Sequence, residues 1–174
     1  MGHRALLAYR RDDDSAGDPT YDLHRSQWGG ADFALARHVS AETPFAADTA
    51  FAVDPNPIGT GLGFETVVAD RLDFLGYEAF YRVDAGFEVA PFHVLWFGLE
   101  SDADGVERSE TVGHGALVAA RPPHDDFLPG WFRGTKAAVG DAFDCGAVAR
   151  EDALAYLSAR VRSRAGDREV ILPE

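Results

Sequence analysis

The pattern of apolar and polar positions changes period along the chain, and those changes sketch the fold. Residues 4–10 (RALLAYR) and 21–27 (YDLHRSQ) predict two strands joined by an Asp-, Gly- and Pro-rich connection over 11–20. In the second strand Tyr21, Leu23 and Arg25 fall on one face, and Asp22, His24 and Ser26 on the other. Trp28-Gly29-Gly30 closes that strand, and residues 31–38 predict a short helix. Residues 49–53 read as a strand stopped by Asp54-Pro55-Asn56-Pro57. Phe64, Val67, Val68, Leu72 and Leu75 then recur at helical spacing, with Gly76 placed as a C-cap. Further strands are expected over 77–83, 87–99 and 111–121, with turns at Asp84-Ala85-Gly86 and Asp102-Ala103-Asp104-Gly105. The run Phe92-His93-Val94-Leu95-Trp96-Phe97 is apolar on nearly both faces, the mark of a central strand. Helices are expected over 131–143 and 151–164, and a last strand over 169–172. This order predicts a single α+β domain over residues 1–174, a mostly antiparallel sheet packed by three to four helices.

Composition adds a statement about solvent. The 174 residues carry 16 basic and 29 acidic side chains, a formal net charge of −13. Lys136 is the only lysine, the other basic residues are arginine, and aspartate outnumbers glutamate. In molar salt the Debye length falls to about 3 Å, so self-repulsion of such a chain is largely screened. The acids are dispersed rather than massed in a tail, which favours salt adaptation over an acidic partner-binding surface. The same charge argues against nucleic acid as a partner. No apolar run approaches the roughly 20 residues of a membrane helix, and the first residues do not form a secretory signal, so a cytoplasmic setting is expected. Cys145 is the single cysteine, which excludes an internal disulfide or a cysteine-based zinc cluster.

The candidate chemistry is sparse. Gly59-Thr60-Gly61-Leu62-Gly63 leads into the helix expected at Phe64, and exposed backbone amides there would suit a phosphate. The spacing matches neither a dinucleotide fingerprint nor a P-loop, and Asp54 and Glu65 bracket it with negative charge. Asp12, Asp14 and Gly17 imitate an EF-hand loop, but Ala16 and Leu23 occupy ligand positions. His24, His93 and His114 all fall on expected strands; convergence on one sheet face, with Arg25, would support acid–base chemistry. No histidine pair has metal-protease spacing, so no metal site is assigned, and no cofactor is implied. Cys145 is expected as a small packed residue near a helix end. Phe127, Trp131 and Phe132 gather around Pro129-Gly130, read as a turn, and form either an interface anchor or the seal of a core edge. Arg160, Arg162, Arg164 and Arg168 make a dense basic stretch that suits a helix C-terminus.

The N-terminal segment Gly2-His3-Arg4-Ala5-Leu6-Leu7-Ala8-Tyr9, followed by Tyr21 to Gly30, resembles a family of small uncharacterised haloarchaeal proteins. The similarity extends through Phe80-Tyr81 and Trp96-Phe97-Gly98. The resemblance implies a haloarchaeal cytoplasmic setting and brings no activity, cofactor or site residues. Three functions remain open from the residues. The first is a binding or protein-interaction module without catalysis, touching a protein partner or a second copy through Phe127–Phe132 and the glycine segment. The second is a small hydrolase or transferase built on the histidine-bearing sheet face. The third is a phosphate-ligand binder at Gly59–Gly63.

Overall fold

The computed structural model describes residues 3–12, 17–99 and 106–173. Seven strands form one sheet: β1 (Ala5–Arg10), β2 (Thr20–Ser26), β3 (Gly59–Gly63), β4 (Ala79–Val83), β5 (Val89–Trp96), β6 (Gly115–Ala119) and β7 (Val170–Ile171). Their order across the sheet is β3-β2-β1-β4-β5-β6-β7. Every neighbouring pair is antiparallel except β1 and β4, which run parallel. Helix α1 is a single turn (Phe64–Thr66) continued by a π-helical turn over Val67–Arg71; α2 (Phe127–Asp144) and α3 (Arg150–Ala165) are the long helices. The architecture is therefore α+β with a mostly antiparallel sheet. Among the described residues, no helix is long and apolar enough to cross a membrane.

Strict alternation along β1 divides the core. Leu6 and Ala8 join Leu23, Phe80, Phe92 and Leu117 on one face, covered by Val67, Val68, Leu72 and Phe74. Ala5, Leu7 and Tyr9 join Ala79, Tyr81 and Val83 on the other, where the segment around Leu35, Val39, Ala46 and Val53 packs on them. The β5–β6 half of that second face, Leu95, Ala116 and Val118, is covered by Leu128 and Phe132 of α2 and Leu157 and Val161 of α3. The two covers leave a seam between them, and β5 runs beneath it.

Several expected elements differ from the observed ones for identifiable reasons. Gly59–Gly63 is not a loop but the edge strand β3, which pairs with β2 across an irregularity between Tyr21 and Leu23. The helix expected from Phe64 to Leu75 stops at Arg71: the amide of Leu72 closes on the carbonyl of Val67, five residues back, and Leu75 is left exposed. Asp73 then forms an isolated antiparallel bridge with Val112, so this stretch pairs with the segment before β6 rather than extending a helix. Residues 31–38 contain only a 3-10 turn, Ala34–Arg37, and the strand expected over 49–53 reduces to a bridge between Ser26 and Val53. The strand expected over 111–121 is confined to β6, Gly115–Ala119. Phe127-Leu128-Pro129-Gly130 is no turn but the opening of α2, where a missing amide on Pro129 costs no helical bond. Cys145 caps the end of α2 and is exposed, not packed. The acidic segment 13–16 and the turn expected at 102–105 lie outside the described residues.

Candidate functional site

The seam is closed by charge. Pleating sends Phe92 into one core and His93 to the opposite face, between Ala79 of β4 and Val118 of β6. His93 is 4% exposed, and Nε2 donates to Oδ2 of Asp125 over 2.9 Å. Asp125 comes from the segment that returns over the sheet after β6. Its carboxylate also accepts from the Arg121 amide at 2.7 Å and from both terminal nitrogens of Arg168, at 2.7 and 2.8 Å. Arg168 reaches it from the turn between α3 and β7 and donates as well to the carbonyl of Ala119 at 3.3 Å. Burial alone would raise the Asp125 carboxyl, but the bonds from Arg168, the Arg121 amide and His93 together hold it well below the usual carboxylate range. Burial lowers the His93 pKa from its ordinary value near 6.5, and the hydrogen bond and charge of Asp125 offset that only in part. The imidazole is thus neutral. Because an ionised carboxylate only accepts, Nε2 carries the proton and Nδ1 keeps a lone pair. Nδ1 has no hydrogen-bond partner among the described residues.

His93 lines a cleft of about 510 Å³ at the end of the sheet where β1 and β4 begin. Its other walls include Asp32, Phe33, Glu78, Asp126 and Arg133. Phe33 meets His93 edge to face, with ring centroids 4.9 Å apart. Asp32 and Phe33 both take left-handed backbone angles, φ 49° and 55°, a conformation that costs non-glycine residues free energy and recurs at binding sites. The strand-end segment carrying them is pinned by the Gly30 amide, which donates to the His3 carbonyl at 2.7 Å. A Cβ on Gly30 would fall 2.8 Å from that oxygen, so only glycine permits the crossing. His3 pairs in turn with Glu78 at 2.7 Å.

The other candidates are dispersed. His24 shares a sheet face with His93, but three strand spacings separate them, roughly 14 Å. Its Nδ1 donates to the carbonyl of Asp54 at 2.9 Å, and its ring packs on Tyr9 and Phe45. His114 precedes β6, is exposed, and lines a separate cleft of about 400 Å³ with Glu110, Arg150 and Arg162. Arg25 is exposed on the face opposite His24, so the three histidines and Arg25 do not converge. In the glycine segment, the Gly61 amide already donates to the Asp22 carboxylate at 2.9 Å, while Gly59, Thr60 and Gly63 lie along the sheet edge rather than cradling a common point. The expected aromatic surface is split: Phe132 is buried against Phe97, Trp131 is half-buried, and Phe127 is exposed beneath the guanidinium of Arg164. Among the described residues, no three His, Cys, Asp or Glu side chains gather in a metal-binding group.

Sequence reasoning missed Asp125 and Arg168 as partners of His93. The one signal was a buried-strand histidine, which must find a polar partner somewhere.

Fold and site together define an α+β protein with a buried histidine oriented by a carboxylate–guanidinium pair. Two matches to one family model, over residues 1–51 and 47–172, show that the chain belongs to the family of unknown function DUF6735. No curated protein and no solved structure matches it.

Proposed function

We propose that this protein is a small-ligand binding module without catalysis, with its ligand seated in the cleft beside His93. One observation carries the reading: the cleft is lined by a 4% exposed histidine that is fixed by Asp125 and Arg168 and whose Nδ1 has no hydrogen-bond partner among the described residues. Such convergence of an oriented polar group with an apolar wall in a cleft of this size is what small-molecule sites share. The same His–carboxylate pairing orients general bases in enzymes.

The setting belongs to the same proposal. The −13 net charge, with one lysine against many arginines, supports a salt-adapted cytoplasmic protein of a haloarchaeon. A fragment screen by amide NMR in molar KCl tests the function. The expected result is shifts clustered on Phe33, His93 and Arg133; hits confined to the Phe127 surface, or turnover of a bound fragment, would overturn it. Melting temperature should rise with KCl, and a curve flat between about 0.1 and 3 M would remove the salt reading.

A further inference from the structure

The charges around the cleft narrow the chemistry of its ligand. This step rests on the reading of the cleft as a ligand site. Neutral His93 can only accept at Nδ1, so the occupant must bring a hydrogen-bond donor to it. Asp32, in an exposed turn, and Asp126, the exposed N-cap of α2, line the same cleft, and the Asp126 charge is felt at the His93 ring. Glu78 is engaged by His3. Against these carboxylates the wall presents one guanidinium, that of Arg133. An anion would meet two carboxylates and a lone pair; an uncharged alcohol would satisfy the lone pair but leave the carboxylates uncompensated. A primary ammonium answers both, since it has several N–H donors and a positive charge. Phe33 supplies an apolar wall, packed against the His93 ring, for a short alkyl stem.

We infer that the cleft takes a small aliphatic primary ammonium ion, one N–H directed to Nδ1 of His93 and its charge placed between Asp32 and Asp126. In molar KCl the surface field is screened, so selectivity rests on these short contacts rather than on long-range attraction.

Three isosteric probes test this: n-butylammonium chloride, 1-butanol and sodium butyrate, each titrated in molar KCl. Melting temperature and the ¹⁵N resonances of the His93 ring are the readouts. Butylammonium should raise the melting temperature and move the Nδ1 resonance, whereas butanol and butyrate should do neither. Asp126→Asn at the α2 N-cap, where the side chain makes no capping bond, and Asp32→Asn in an exposed turn should each weaken butylammonium binding by about fivefold. The amide keeps the left-handed turn at position 32 accessible. His93→Gln should abolish the effect. Equal or stronger binding of butanol or butyrate at His93 would overturn the ammonium assignment and leave the ligand cleft standing. Butylammonium binding that ignores both Asp→Asn changes would overturn the assignment too. If no probe moves the His93 resonances and the fragment screen also leaves Phe33, His93 and Arg133 unshifted, both readings fall.

Discussion

His24 and His93 occupy the same face of one sheet and are almost equally buried, at 5% and 4% exposure, yet their surroundings assign them different work. His24 spends its donor on a backbone carbonyl, that of Asp54, and is enclosed by the rings of Tyr9 and Phe45. It ties the segment after Val53 to β2, and its Nε2, like Nδ1 of His93, has no hydrogen-bond partner among the described residues. His93 spends its donor on a carboxylate that is itself held by an arginine and a backbone amide, and the residue lines a cleft. Burial alone thus does not distinguish the two histidines; the partner of the bonded nitrogen, a backbone carbonyl or a carboxylate, does.

The comparison can be broken most forcefully at Asp125. Asp125→Asn removes the charge that answers a largely buried Arg168 and should cost about 3 kcal/mol in urea denaturation, because it strands one partner of a desolvated pair. A loss under about 1 kcal/mol would show that the trio is a surface ion pair in effect. His24→Phe fills similar volume but leaves the Asp54 carbonyl without its donor, and should cost about 1–3 kcal/mol. It should leave the resonances of the His93 cleft where they were.

Acid sharpens the contrast. The folded-state pKa of His93 lies below its ordinary value near 6.5, so between the two the unfolded chain binds the proton and the folded one does not. Stability should therefore decline as pH falls below about 6.5, and His93→Gln should flatten that part of the curve. The Asp125 carboxyl is also depressed, so its contribution is present above about pH 4 and is lost only on further acidification. That lower limb should survive His93→Gln and disappear in Asp125→Asn. The smallest effect sets the scale for an exposed cation: Arg164→Ala removes a guanidinium 4.5 Å from the Phe127 ring centroid and should cost about 0.5–1 kcal/mol.

Much of the framework was legible because it rests on local period. The alternation in YDLHRSQ assigned His24 and Arg25 to opposite faces, and the helix expected over 151–164 is α3. The site was not, because its contacts cross long stretches of chain. Asp125 is 32 positions from His93, and Arg168 is 43 from Asp125. In sequence Asp125 reads as part of a solvated acidic loop, and Arg168 as one more cation after a helix; no local pattern distinguishes either from its neighbours. The glycine segment misled in the opposite way. Its composition suggests a free loop, but Asp22 on the adjoining strand takes the Gly61 amide and holds the segment to the sheet edge.

The turn after α3 has a consequence for assembly. Asp167, Arg168 and Glu169 are consecutive, and each grips a different earlier residue: Arg121 at 2.9 Å, Asp125 at 2.7 Å and Arg82 at 2.9 Å. Arg82 lies on the face of the sheet that also carries Phe92, whereas Asp125 lies over the face of His93, so adjacent residues clasp the sheet from both sides. Synthesis from the amino end delivers this clasp after every segment it holds. Strands β1 to β6, the cleft walls and His93 all emerge before Arg168, which holds the Asp125 carboxylate that fixes the proton on Nε2. The chain makes its cleft early and fixes it late.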